Sequence, residues 1–84
     1  MSYEIPTKVA SLGDIEIRFV PEGMKIEVWF YEKRPNGRVC WIELKRIKEI
    51  KKVYQALKNY GFKLEDEKDF EEKFSKILRK YLEG

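Results

Sequence analysis

Trp29, Tyr31 and Trp41 stand at alternating positions of two strand-like segments between Lys25 and Lys45, on the face that also carries Lys25, Lys33 and Lys45. Residues of these types on one face can do a definite chemistry. Aromatic rings offer surfaces on which unpaired bases stack, and flanking cations meet phosphates. Arg18 joins the face from the preceding strand, while Arg34 and Arg38 flank the tip of the hairpin. Arg18, Lys25, Trp29, Tyr31, Lys33, Arg34, Arg38, Trp41 and Lys45 are therefore the expected contacts for single-stranded DNA or RNA. The same rings have a second reading. Large aromatics dominate cores and interfaces, so the chain's own Phe70 and Phe74, or a partner subunit, could cover them. Covered by a partner, the domain is a protein–protein interaction or regulatory module; sealed by its own second helix, it is a plain accessory domain.

Catalysis lacks its parts. The chain has no His, the commonest general base and metal ligand, and one Cys cannot form a thiolate cluster. No glycine-rich phosphate loop, nucleophile elbow or Ser/His/Asp set can be assembled. Carboxylates abound, but Glu16, expected opposite Glu27, and the cluster at 65–72 fit a solvated face and a helix start. The expectation is a binding protein without metal or cofactor, not an enzyme.

Length and charge agree with that. A chain of 84 residues makes one domain (1–84), large enough for a small core and too small for a deep substrate cavity. Net charge is +3 and the pI about 9.0, which permits an anionic partner without resembling a basic tail. Charged residues make up 39% of the chain, while Gln55 is the only Gln and Asn36 and Asn59 the only Asn. That usage is found in heat-adapted proteins and predicts a thermophilic source. Cys40 has no partner for an internal disulfide, and no apolar run reaches the length of a signal peptide or membrane span. A soluble, cytoplasmic protein without a membrane partner is expected.

The elements that must position the aromatic face follow from periodicity. A period of two over 7–45 predicts an antiparallel meander of three to four strands: Thr7 to Leu12, Ile15 to Phe19, Met24 onward, and the segment to Lys45. Pro21-Glu22-Gly23 reads as one turn, pairing Phe19 with Met24 and Ile17 with Ile26. Pro35-Asn36-Gly37 reads as a three-residue loop that pairs Arg34 with Arg38 and sets Tyr31 opposite Trp41. An inner face then holds Ile26, Val28, Phe30, Cys40, Ile42 and Leu44. The outer face holds the aromatics with Val39.

After Lys45 the period becomes helical. Ile47, Ile50, Val53, Tyr54 and Leu57 make the stripe of a first helix over 46–60 that covers the inner face, with Gly61 as its stop. Its opposite side carries Arg46, Lys48, Lys51, Lys52 and Lys58, read either as phosphate contacts or as an ordinary solvated face. A second helix spans 66–82, with Phe70, Phe74, Ile77, Leu78, Tyr81 and Leu82 on one side. Its acidic start and basic end complement the helix dipole. The fold class is α+β, strands first and two amphipathic helices after.

This order of a curved antiparallel sheet, a long hairpin with a basic glycine-containing tip, and a strand leading into a helix as Trp41-Ile-Glu-Leu-Lys-Arg-Ile-Lys-Glu-Ile50 resembles the transcriptional positive cofactor four family of single-stranded DNA-binding proteins. It is similar also to the small single-strand-binding proteins of hyperthermophilic archaea. The likeness covers residues 14–58 and is one of pattern, with no shared diagnostic motif. It implies strand contacts through Trp29, Tyr31, Trp41, Arg34 and Arg38, and a homodimer formed through the helix. The second helix has no counterpart in that pattern.

Overall fold

The computed structural model describes residues 7–33, 37–64 and 66–83. Its strands are β1 (Lys8–Leu12), β2 (Ile15–Glu22), β3 (Lys25–Glu32) and β4 (Val39–Glu43), and they form one antiparallel sheet in the order β1-β2-β3-β4. Helices α1 (Ile50–Tyr60) and α2 (Glu67–Glu83) follow. The α+β meander expected from the periodicity is the fold observed.

Register differs from the expectation in both long hairpins, each time by an even step. Gly13-Asp14 and Gly23-Met24 are the central pairs of two-residue turns, with Leu12 opposite Ile15 and Glu22 opposite Lys25. Both glycines have positive φ (59° and 62°) and their neighbours do not, the pattern of type II′ turns that suits strand twist. Pro21 is thus a strand residue opposite Ile26 and not a turn residue. Alternation from the Glu22/Lys25 pair aims the Pro21 nitrogen toward the β1 side, beyond the end of β1 at Lys8, so its missing N–H removes no ladder bond there. Phe19 consequently faces Val28, Ile17 faces Phe30, and Met24 is a fully exposed turn residue.

At the second hairpin the Glu32 N–H donates to the Arg38 carbonyl at 2.9 Å, so the connection runs from Lys33 to Gly37 and exceeds the expected three residues. Trp29 therefore faces Trp41 and Tyr31 faces Val39, where Tyr31 against Trp41 was expected. The expected pairing of Arg34 with Arg38 involves Arg34, which lies outside the described residues.

The inner face is the core. Ile15, Ile17 and Phe19 of β2 and Val28 and Phe30 of β3 are buried, joined by Val53, Tyr54 and Leu57 of α1, by Phe62, and by Phe70 and Phe74 of α2. Both helices serve this face. The Phe74 ring lies 5.6 Å from Phe30, Tyr81 stacks on Phe19 at 4.1 Å, and Tyr54 of α1 meets Phe70 at 5.5 Å. No polar or charged residue among those described is buried in it. Phe70 and Phe74 thus pack beneath the sheet and leave the outer aromatics uncovered.

The first helix begins later than 46. After Glu43 the chain makes a 3-10 turn over Leu44–Arg46 and takes up α-helix only at Ile50, from an extended Glu49. The interruption lets the chain leave the sheet edge and turn under it while Leu44, Ile47 and Ile50 all pack against the core. Gly61, at φ 104°, ends α1 in the left-handed conformation, and the Phe62 N–H donates back to the Leu57 carbonyl at 3.0 Å. In α2, Leu82 stays exposed although it continues the apolar stripe. Asp66 starts this helix by accepting the Asp69 N–H at 3.2 Å.

Candidate functional site

The outer face is organised in rows across the strands. One row reads Val9, Arg18, Trp29, Trp41 and the next Ser11, Glu16, Tyr31, Val39. Trp29 and Trp41 form a pair that exchanges no ladder hydrogen bonds, the kind in which opposed side chains approach most closely. Their ring centroids are 6.4 Å apart and inclined by 29°. Trp29 also lies 6.1 Å from Tyr31 at 20°. The three rings make one continuous patch with Trp29 at its centre, and Trp41, 52% exposed, is its most open member.

Cations border the patch, but carboxylates accompany them. The Arg18 guanidinium sits 4.6 Å from the Tyr31 ring centre and pairs with Glu16 at 2.8 Å. Glu43, its side chain 16% exposed, receives Lys25 and Lys45, each at 3.4 Å. Partial burial pushes the Glu43 carboxyl upward, yet the hydrogen bond and charge of Lys25 and the charge of Lys45 outweigh it and leave the group below its ordinary range. The Trp29 Nε1–H donates to Glu27 at 3.3 Å, and Lys33 donates to the Ser11 hydroxyl at 3.0 Å. Alternation also puts Glu22 on this face, so Glu16, Glu22, Glu27 and Glu43 match Arg18, Lys25, Lys33 and Lys45 one for one. The face is aromatic and charge-balanced, whereas the sequence reading expects it to be basic.

Eight of the nine expected site residues are described, and seven gather here. Arg38 does not. Its Nη1 donates to the Tyr60 carbonyl at 3.0 Å and its Nε lies 3.7 Å from Glu32, whose side chain is only 7% exposed. It ties the base of the hairpin to the end of α1 and closes over Gly61, where any side chain would meet the guanidinium. Arg34, the ninth, lies outside the described residues. The sequence reading left out Glu27 and Glu43 as members of the site, although their spacing of two from Trp29 and Trp41 already assigns them to this face.

Cys40 is half-buried opposite Phe30, and burial pushes its thiol up, away from the reactive thiolate. Its role is that of a small hydrophobe. No helix among the described residues is long and apolar enough to cross a membrane. Comparison with protein-family models, curated proteins and solved structures found no match to this chain.

Proposed function

We propose that the protein binds single-stranded DNA or RNA on the outer face of the sheet, with bases stacking on Trp41, Trp29 and Tyr31. The observation that carries this reading is the contiguous ring patch on a face that both helices leave open. Stacking of a base on an aromatic side chain contributes about 1–3 kcal/mol and tolerates any sequence, because every base has a π-face. Phosphate contacts are secondary here. Arg18, Lys25 and Lys45 reach a phosphate only by exchanging a carboxylate for it, so the salt dependence is shallow compared with a basic groove. Binding needs no metal or cofactor and no catalytic step. The unpaired Cys40 is compatible with a reducing compartment such as the cytoplasm.

Trp29 and Trp41 are the only tryptophans, so their emission reports on this site alone. A mixed-sequence single-stranded oligonucleotide quenches it under this proposal, and a duplex of the same sequence does so far less. Unchanged emission together with no mobility shift at low salt rejects it.

The charge balance favours a second reading, in which the face is an interface with a second copy or another protein. Interfaces combine an aromatic centre with paired charges at the rim. This reading predicts tryptophan emission that shifts with protein concentration without any nucleic acid, and a solution mass above that of one 10.2 kDa chain.

A further inference from the structure

A second surface lies at the opposite edge of the sheet from Trp41. Among the described residues β1 pairs with β2 alone, so its other side is an open edge. The two-residue turn makes Leu12 and Ile15 a hydrogen-bonded pair, and alternation then commits the backbone groups of Lys8, Ala10 and Leu12 to β2. The N–H and C=O groups of Val9 and Ser11 point the other way. They open onto a groove of about 610 Å³ whose far wall is the C-terminal half of α2, through Ile77, Lys80 and Tyr81, with Phe19 as its floor. An unpaired strand edge beside an apolar groove and a helix is the arrangement to which an extended peptide adds as a further strand.

The charges of the groove identify its occupant. Lys8 stands at one end of β1, its ammonium 5.1 Å from the Tyr81 ring, and Lys80 stands on the helical wall. Lys33 reaches the other end of β1 through the Ser11 hydroxyl. Among the described residues, no carboxylate lines the groove. A lysine at the end of an edge strand, as Lys8 is, is the device by which such edges discourage pairing with a second copy. We propose that this groove takes an extended acidic segment of a partner protein as a fifth strand beside β1. Apolar side chains of that segment face Phe19, Ile77 and Tyr81, and its carboxylates meet Lys8 and Lys80.

The test is a titration of the isotopically labelled full chain with the peptide Asp-Ser-Val-Thr-Val-Ser-Asp, which places its Val and Asp side chains on one face of a strand, read by amide NMR. The expected result is shifted and exchange-protected amides at Val9 and Ser11, with the Trp29 and Trp41 indole signals unmoved. Val9→Pro removes an outward N–H while sparing the bonds to β2, a position where an edge strand accepts proline. It weakens the peptide by about tenfold, as expected for loss of a backbone bond together with steric interference, while circular dichroism and melting temperature stay unchanged. Should Val9→Pro not fold, the same peptide N-methylated at every second residue replaces it and must lose binding. Equal binding by a peptide with Lys for Asp overturns the proposal. So does absence of any change at Val9 and Ser11, or protection there that grows with protein concentration alone.

Discussion

The two faces of one sheet carry aromatic residues for opposite ends. On the inner face Phe19 and Phe30 are shut away from solvent, Phe19 against Tyr81 and Phe30 against Phe74, both of α2. On the outer face Trp29, Tyr31 and Trp41 touch chiefly one another and are held by Arg18 and Glu27. An aromatic residue whose partners come from distant segments stabilises a fold. One whose partners are its immediate neighbours on an open sheet adds little to stability and is available for binding.

The contrast can be broken most directly by truncation. Phe30→Ala empties a fully buried site under α2 and is expected to cost about 3–5 kcal/mol in a urea titration, whereas Trp41→Ala, on the open face, costs no more than about 1 kcal/mol, the worth of its cross-strand pair with Trp29. A large loss of stability in the second variant would mean that the outer face is itself a buried interface. Binding should show the reverse order. Trp29→Ala, at the centre of the patch, is expected to weaken an oligonucleotide by about 1–3 kcal/mol, more than Tyr31→Ala, while Phe30→Leu leaves affinity unchanged.

A smaller effect sharpens where the hairpin base belongs. Gly61→Ala forces a Cβ into a left-handed φ and displaces the Arg38 guanidinium, at an expected cost of about 1–2 kcal/mol, and Arg38→Ala lowers stability without altering oligonucleotide affinity. The smallest effect is a pH dependence. The folded-state carboxyl of Glu43 lies below its ordinary value near 4.5, so the stability it contributes is present above that value and disappears as pH falls through the lower folded one. Glu43→Gln should flatten the acid limb of a melting-temperature profile, lying slightly below the parent above about pH 6 and meeting it at low pH.

The alternation of side chains was legible in the sequence, and the pairing was not. Placing the first turn at Pro21-Glu22-Gly23 displaces the register by an even number of residues, and a strand displaced that way keeps every side chain on its face. Ile17, Phe19, Val28 and Phe30 are therefore assigned to the core correctly, with the wrong partners. Turn chemistry explains the error, since Gly23-Met24 closes a two-residue turn that Pro21 argues against until its orientation toward the unpaired side is known. In the site, ring identity and face were legible, but the matching of each cation by a carboxylate depends on cross-strand neighbours such as Glu43 beside Lys25, which only the register supplies. The destination of α2 was likewise open, because an amphipathic stripe does not say which side of a sheet it meets.

The unbroken order β1-β2-β3-β4 has a kinetic consequence. Each strand pairs with its neighbours in sequence, and two of the three connections are two-residue turns, so every closure in the sheet spans a short loop whose entropic cost is small. Strand pairing can thus proceed one turn at a time from either glycine. The contacts that bring α2 to the first two strands, Tyr81 against Phe19 and Lys8 among them, span the longest loops and are the ones on which the overall rate of folding should depend.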